Sequence, residues 1–419
     1  MRVLGLLGLF GLAARAADSG HLPDALELLE EHPLIDGHVD LPFVVRSLGK
    51  SPLDTLRKYH DSMPGHIDLN RMLEGRLGGL FMVAWTPCPA SHSGPPARYL
   101  FTGEGVRDTL EAIDIIKEIV ANAPDHFVLC WSSDEVRQAK KEGRIATLIG
   151  VEGGHQLGNS LAVVRQYAAL GVRYITLTHT CHNVFASSAG SGDAIAPVYP
   201  GDGLTPLGIA LVEEMNRLGV VVDLSHTSPG TMRDALKVTR APVMFSHSGA
   251  RGVYDHPRNV PDDVLDLIGE GEGQVDGVVM AVFYPPFVDP GNATIHRVAD
   301  HIEYIADKCG RRHVGIGSDF DGIDSAVEGL EDASKYPYLV AEMLRRGWSD
   351  SDVVGLLGDN ILRILDGADR TAKEMATMPA SAAVLESRVD LPCQWGGPGN
   401  AYLAKEVQEY LKGHRRDEL

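Results

Sequence analysis

The stretch LIDGHVDLPF, residues 34–43, begins as an apolar run typical of a buried strand and carries the polar residues Asp36, His38 and Asp40. Side chains alternate between the two faces of a strand, so His38 and Asp40 project to the same side. Burying an imidazole and a carboxylate together costs free energy unless a partner compensates, and a metal ion suits both groups. The stretch therefore predicts a strand that delivers metal ligands at its carboxyl end.

Short apolar runs of the same kind recur along the chain and alternate with amphipathic segments. They are rich in Val, Ile, Leu and Phe and mostly continuous, which is typical of strands covered on both faces. The eight runs comprise residues 33–41, 77–85, 144–152, 172–179, 219–226, 241–247, 277–284 and 313–320. Several of the segments between them open with Ser or Thr and close at Gly, as capped helices do.

Eight strand–helix units predict an α/β fold, a (β/α)8 TIM-type barrel with a C-terminal helical extension. A doubly wound open sheet is the alternative, but no glycine-rich phosphate loop follows the first run. Since no interdomain linker is evident, we expect one barrel domain over residues 17–370 and an extension over residues 371–419.

The N-terminal residues 1–16 contain Arg2, an apolar run and the small-residue pattern Ala14-Arg15-Ala16. This is the layout of a secretory signal peptide, and a buried N-terminal helix is the alternative interpretation. The apolar run is too short to span a bilayer comfortably, and no later segment approaches that length. We therefore expect no membrane span.

The chain carries 38 Lys and Arg against 57 Asp and Glu, a formal net charge of −19. This charge disfavours nucleic acid and anionic membranes as partners, because both have the same sign. In the secretory pathway the five cysteines can form disulfides, and their odd number leaves at least one unpaired or intermolecular.

Two short motifs bear on processing and localisation. Asn292-Ala293-Thr294 is an N-glycosylation sequon. The C-terminal RDEL resembles an endoplasmic-reticulum retrieval signal with Arg where Lys or His is usual, and a chance charged tail is the alternative. The expected location is the secretory pathway, with the protein secreted or retained in the endoplasmic reticulum lumen.

A His or a carboxylate falls at the carboxyl end of six of the eight predicted strands. These residues are His38 and Asp40, Glu152, His179, His226, His247 and Asp319. In a (β/α)8 barrel such ends open on one face, where active sites are built. The set exceeds what one catalytic zinc requires, so we predict two metal ions that share Glu152. Imidazole with carboxylate suits zinc, with manganese, cobalt or iron as alternatives.

The motifs around these residues resemble those of the membrane (renal) dipeptidase family, which has fungal members, among the metal-dependent hydrolase barrels. They read DGHVDLP, IGVEGGH, YITLTHTC, VDLSHTS, FSHSGA, RNVPDDVL and GIGSDFDG, and they follow the family order over most of the chain. The resemblance implies that His38 and Asp40 bind one zinc ion and that His226 and His247 bind the second. Glu152 would bind both ions.

The resemblance implies roles for three further residues. His179 would contact the substrate and stabilise the oxyanion, and Arg258 would bind the substrate carboxylate as a planar charged fork. Asp319 would transfer the proton. The resemblance also implies a disulfide between Cys88 and Cys181 and a homodimer.

The expected activity is hydrolysis of dipeptides with a free C-terminal carboxylate by a metal-bridging hydroxide. One alternative keeps the chemistry but acts on cysteinylglycine units of glutathione-derived conjugates in secondary metabolism. Another is a non-catalytic lumenal binding protein. We disfavour the last because all the expected ligands, and His179, Arg258 and Asp319, are present.

Overall fold

The computed structural model describes residues 20–49, 51–54, 62–89, 103–190, 202–385 and 404–413. The predicted signal peptide and the terminal RDEL lie outside these residues, and so does Cys393, one of the five cysteines and a candidate intermolecular thiol. Among the helices that are described, none is long and apolar enough to cross a membrane.

Eight parallel strands close into a barrel, which confirms the predicted (β/α)8 TIM-type fold. In chain order the strands are β1 Leu34–Val39, β2 Leu77–Ala84, β3 Phe127–Leu129, β4 Ile145–Glu152, β5 Val172–Thr176, β6 Val221–Asp223, β7 Val243–Ser248, β8 Gly277–Ala281 and β9 Val314–Ile316. Around the barrel they follow the order β2-β1-β9-β8-β7-β6-β5-β4, and pairing between β2 and β4 closes the ring.

The short strand β3 is one that the sequence patterns do not predict. It pairs with residues 145–147 of β4, while β5 pairs with residues 149–152 of the same strand. Because β2 occupies the opposite edge of β4, β3 and β5 share one edge, and β3 stands outside the closed ring. Three residues are too few to show a strand periodicity.

Helices cover the outside of the barrel and follow the strands as predicted. Their bounds are Leu22–Glu31, Leu41–Ser47, Leu69–Glu74, Gly103–Asn122, Ser133–Lys141, Leu161–Ala169, Pro206–Leu218, Pro229–Val238, Asp262–Leu265, Pro285–Val288, Ile295–Cys309, Tyr336–Arg345, Asp350–Val354 and Asn360–Glu374. A further helix, Lys405–Gly413, belongs to the C-terminal extension. Short 3-10 segments lie at Gly154–Leu157, Arg311–His313 and Ala333–Lys335, and a π-helical turn lies at Gly355–Asp359.

The helix Pro206–Leu218 illustrates why these segments begin and end where they do. The hydroxyl of Thr205 accepts the backbone N–H of Gly208 and so caps the first turn. The helix ends at Gly219, whose φ of 73° is left-handed and suits glycine. The Ser/Thr and Gly signals in the sequence therefore mark real helix ends.

The interior of the barrel is packed tightly around β7. A Cβ at Gly317 would lie 1.8 Å from the carbonyl oxygen of Ser246, and one at Gly37 would lie 2.7 Å from the same atom. Only glycine allows the backbones to approach this closely. Beneath the mouth the interior is therefore a filled core rather than a pore.

The last long helix, Asn360–Glu374, packs against the helix Pro206–Leu218 and against strands β6 to β9. The boundary predicted at residue 370 falls within it, and the domain limits stay a prediction. Beyond the helix, the N–H of Ser381 donates to Glu214 at 3.2 Å, and Arg165 pairs with the same carboxylate at 2.9 Å. The start of the extension is thus tied to the barrel.

Candidate metal centre

The barrel brings the residues predicted at strand ends to one mouth. His38, Glu152 and His247 lie in β1, β4 and β7, and Asp40 directly follows β1. The remaining three, His179, His226 and Asp319, lie three residues beyond the ends of β5, β6 and β9. These three strands are shorter than predicted, and their polar residues belong to loops.

Two of the loop residues hold strained backbone. His226 has a φ of 63° and Asp319 a φ of 66°, both left-handed. Such conformations cost about 1–3 kcal/mol in a non-glycine residue and persist only where the surroundings impose them. Here the N–H of Asp319 donates to the carbonyl of His38 at 3.1 Å, and the N–H of Ala189 donates to the carbonyl of His226 at 2.8 Å.

Glu152 lies at the centre of the cluster. Its Oε1 is 2.9 Å from Nε2 of His226, 3.4 Å from Nε2 of His247 and 3.5 Å from Nε2 of His38. Beyond it, Nε2 of His38 lies 3.3 Å from Oδ2 of Asp40. One carboxylate is therefore close to histidines of both pairs that the family resemblance assigns to separate ions.

The protonation of these groups follows from burial and from their neighbours. Burial alone would raise the pKa of Glu152, but His38 and His179 hold it well below its usual range. Burial lowers the pKa of both His226 and His247 well below the usual value. These two imidazoles are therefore neutral, which is the form that binds a metal. Burial would lower the pKa of His38 too, but Glu152 and Asp40 raise it well above its usual value, so a metal ion there would displace a proton.

The donor atoms fit divalent metal ions. Nε2 of His38, Nε2 of His247 and Oδ1 of Asp40 are buried and make no hydrogen bond within the described residues, an expensive condition for polar atoms. The donors form overlapping groups within 4.8 Å of one another, namely His38–Glu152–His247, Glu152–His179–His226 and His38–Asp40–Asp319. Imidazole nitrogen with carboxylate oxygen is the ligand set that zinc and related ions prefer.

A cavity of about 310 Å³ opens over the cluster, at the lower end of the range for small-molecule sites. Its polar lining includes Asp40, Glu152, His179, His226, Arg258 and Asp319, and its aromatic lining is Phe43, Trp85, Tyr284 and Phe287. The site therefore admits a small ligand with both charged and apolar parts.

Arg258 is a buried charge in this cavity. It is 1% exposed, and none of its three guanidinium nitrogens has a hydrogen-bond partner within the described residues. Its guanidinium lies 5.0 Å from the ring centre of Phe287. Burial lowers its pKa to about 10, so it remains charged at neutral pH. An unpaired buried guanidinium is suited to an anionic ligand such as a carboxylate.

His179 lies on the other side of the cavity. Its Nε2 is 4.0 Å from Oε2 of Glu152, and its Nδ1 is 3.2 Å from the hydroxyl of Thr180. Burial lowers its pKa to about 4, so the ring is neutral at pH 7. The predicted disulfide between Cys88 and Cys181 is present and flanks this residue, with Cys88 Sγ 3.9 Å from Nδ1.

Asp319 completes the polar lining. Its Oδ1 lies 3.9 Å from Nε2 of His38. Burial raises its pKa well above the usual range, and the charges of Asp40 and Glu152 add to the effect. A carboxylate with a raised pKa is a stronger base, which suits a group that exchanges protons. By contrast His155, which follows Glu152 closely in sequence, turns its Nε2 to the carbonyl of Thr86 at 2.9 Å.

Sequence reasoning missed the residues that support this cluster from below. Tyr174 and Ser246 contact the Nδ1 atoms of His38 and His247, and Asp223 accepts the hydroxyl proton of Ser246. The available signal was the single carboxylate, Asp223, inside the otherwise apolar run VVVDL, residues 220–224. A buried carboxylate needs partners, and such partners orient ligands.

Comparisons with known proteins show which family the chain matches. The chain matches the model described as membrane dipeptidase (peptidase family M19) over residues 22–379. It is 43% identical over 355 residues to Dipeptidase verJ of Clonostachys rogersoniana, covering 85% of this chain and 89% of that protein.

Solved structures show the same likeness. The probable dipeptidase PvdM from Pseudomonas aeruginosa has a TM-score of 0.73 and 25% identity, over 84% of this chain and 99% of that one. A Rhodobacter sphaeroides metallo peptidase, liganded with a phosphinate mimic of the dipeptide L-Ala-D-Ala, has a TM-score of 0.69 and 26% identity. That match covers 81% of this chain and 99% of that one.

Proposed function

The chain belongs to the membrane dipeptidase family of metallopeptidases and is a metal-dependent hydrolase, and from this premise we propose that it hydrolyses dipeptides with a free C-terminal carboxylate. The observation that carries the proposal is the unpaired, buried guanidinium of Arg258 in the same cavity as Glu152. A cationic fork near a metal site matches a substrate whose carboxylate lies one residue from its scissile bond.

Two zinc ions are the cofactors that we propose, with manganese, cobalt or iron as alternatives. His38 and Asp40 would hold one ion, His226 and His247 the other, and Glu152 both. Ions bound there would lower the pKa of a water molecule and polarise the scissile carbonyl.

The residues of the chain perform the remaining steps. Arg258 binds the substrate carboxylate through two parallel hydrogen bonds and sets the position of the peptide bond. Asp319 accepts the proton of the attacking water and returns it to the leaving amine as the carbon–nitrogen bond breaks. His179, neutral at pH 7, donates a hydrogen bond to the oxyanion.

The size of the cavity supports a preference for dipeptides. About 310 Å³ leaves little space beyond two residues once the carboxylate is clamped at Arg258. The related Rhodobacter sphaeroides structure holds a mimic of a dipeptide, which agrees with a substrate of this length.

A second candidate substrate is the cysteinylglycine unit of a glutathione-derived conjugate, processed by the same chemistry. The aromatic lining by Phe43, Trp85, Tyr284 and Phe287 favours it, because such rings can pack against an apolar S-substituent. Membership of an enzyme family argues against the non-catalytic lumenal binding protein.

Several expectations about the whole protein remain proposals. They are the homodimer, the secretory route, retention through RDEL, and glycosylation at Asn292, whose side chain is exposed. Each follows from sequence motifs or from the family resemblance.

Metal analysis coupled to a substrate panel tests the proposal. We expect two zinc ions per chain and hydrolysis of dipeptides that stops after chelation and resumes when zinc is restored. The panel should include S-substituted cysteinylglycine compounds and dipeptide amides, which lack the carboxylate and should be poor substrates.

A pair of variants supplies the control. Glu152→Gln keeps the shape of the side chain but replaces one of the two metal-binding oxygens by an NH2 group. Metal content and rate should therefore both fall. Glu74→Gln changes an exposed glutamate and should behave as wild type. Full activity of the metal-free protein, or a Glu152→Gln variant with both ions and full rate, would contradict the proposal.

A further inference from the structure

The hydroxyl of Ser246 lies between two imidazoles at the base of the cluster. Ser246 is fully buried in β7, and its Oγ lies 2.9 Å from Nδ1 of His247 and 3.4 Å from Nδ1 of His38. The two rings are close, with centroids 3.9 Å apart. Since the proposed function assigns His38 and His247 to different ions, one hydroxyl contacts ligands of both.

Asp223 determines the direction of these hydrogen bonds. Its carboxylate is fully buried and accepts the N–H of Ser225 at 3.1 Å, the N–H of Ser246 at 2.8 Å and the hydroxyl of Thr176 at 2.6 Å. It also accepts a hydrogen bond from the hydroxyl of Ser246 at 2.7 Å. Because four donors surround it, the Asp223 carboxylate acts only as an acceptor. The single hydroxyl hydrogen of Ser246 is therefore used in the hydrogen bond to Asp223.

The proton count then sets the tautomer of the histidines. Having donated its proton to Asp223, the Ser246 oxygen can only accept a hydrogen bond from an imidazole. A neutral imidazole that carries its proton on Nδ1 has its lone pair on Nε2. The Nε2 atoms of His38 and His247 are buried and lack a hydrogen bond among the described residues. Both atoms are therefore available to bind a metal ion.

His38 has a second partner that His247 lacks among the contacts described. The phenol oxygen of Tyr174 lies 2.9 Å from Nδ1 of His38. Space for the phenol exists because residue 150 is glycine, where a Cβ would lie 2.3 Å from Cζ of Tyr174. Gly150 in β4 thus provides the space that the Tyr174 side chain of β5 occupies.

We propose that Ser246, anchored by Asp223, is a positioning residue that couples the two metal sites, whereas Tyr174 contacts only one of the ligand histidines, His38. This inference rests on the two-ion assignment of the proposed function. Groups that hold the far nitrogen of a ligating histidine orient the ring and raise its basicity, and their loss lowers metal affinity by about 10–100-fold.

Stepwise zinc titration of the metal-depleted protein, against a competing chelator, measures the affinity of each ion. For Ser246→Ala we expect both ions to bind about 10–100-fold more weakly. For Tyr174→Phe we expect one ion to weaken by a similar factor and the other to stay within about twofold of wild type. The thermal stability of each metal-depleted variant is recorded alongside, because a merely structural role would change stability without changing affinity.

Ser248→Ala is the matched control. Ser248 is a buried serine of the same strand whose hydroxyl lies 3.1 Å from Oγ of Ser225 rather than beside an imidazole. Both of its affinities should equal those of wild type. A Ser246→Ala variant that weakens one ion only, or neither, would overturn the coupling.

Three further outcomes keep the test decisive. If Ser246→Ala does not fold, the Tyr174→Phe variant provides the test. The inference is overturned if the affinities of both ions fall equally in that variant, or if neither affinity changes. A wild-type protein that binds fewer than two ions overturns the proposed function as well. Two tight ions in wild type with unchanged affinities in the variants overturn the coupling alone.

Discussion

Asp36 and Ser318, which are 282 positions apart in sequence, are joined by a hydrogen bond of 3.0 Å from the backbone N–H of Ser318 to the Asp36 carboxylate. The same carboxylate accepts the N–H of His38 at 2.9 Å and the hydroxyl of Tyr336. It therefore holds the end of β1, which carries His38, against the loop that carries Asp319. Asp223 joins β6 to β7 in the same manner.

Replacing Asp36 by alanine should lower the free energy of unfolding by about 3 kcal/mol, because two buried backbone N–H groups lose their acceptor. Tyr336→Phe removes one hydroxyl donor and leaves both N–H groups paired, so we expect a loss of about 1 kcal/mol. Urea unfolding of the two variants and wild type measures the difference. Equal losses would show that the backbone contacts contribute nothing beyond the phenol.

Arg258→Ala should reduce kcat/KM for dipeptides at least about 100-fold, chiefly through KM, because two charge-assisted hydrogen bonds to the carboxylate are lost. Arg258→Lys should not restore the rate, since an ammonium cannot form the planar pair. The control is a dipeptide amide, on which wild type and Arg258→Ala should be similarly slow. A variant that still prefers the free acid over the amide would place the carboxylate elsewhere.

Asp319→Asn should lower kcat by about 10²–10⁴-fold while both metal ions stay bound, because the amide cannot carry the proton. Asparagine tolerates the left-handed backbone at this position, where φ is 66°. The comparison therefore isolates the carboxyl group. Metal analysis beside steady-state kinetics checks it, and loss of one ion would identify Asp319 as a ligand with His38 and Asp40 instead.

His301 should make the stability of the protein depend on pH. It is buried, its Nδ1 accepts the N–H of Ala250 at 2.9 Å and its Nε2 donates to the carbonyl of Val288 at 2.8 Å. Burial lowers its pKa to about 4. An unfolded histidine titrates near 6.5, so the unfolded state binds more protons between these values and stability falls as pH decreases from about 6.5 to about 4.

The predicted loss from His301 reaches about 3 kcal/mol at pH 4 and is absent above pH 7. Urea unfolding of metal-depleted wild type and His301→Gln across this range gives the difference in slope. His21→Gln, at an exposed histidine, should keep the wild-type slope. Parallel curves for wild type and His301→Gln would mean that His301 titrates alike in both states.

Local patterns were informative wherever a property depends on neighbouring residues. Continuous apolar runs predict the eight barrel strands, and the polar residues near their carboxyl ends predict that His38, Glu152 and His247 lie close together. The three-residue strand β3 escaped because it is too short to carry a period. The sequence predicts His179, His226 and Asp319 within strands, whereas they lie in loops. At His226 and Asp319 the backbone is left-handed, and no glycine marks that change in the sequence.

Composition and spacing along the chain were thus enough to establish the barrel and the residue types at its mouth, because burial of short apolar segments is a local requirement. The partners of those residues were out of reach of such reasoning. That Arg258 is buried without a counter-charge, and that Ser246 lies between His38 and His247, follows from barrel closure and strand register. Barrel closure and strand register bring together atoms that are far apart in sequence. A local sequence pattern contains no information about such contacts.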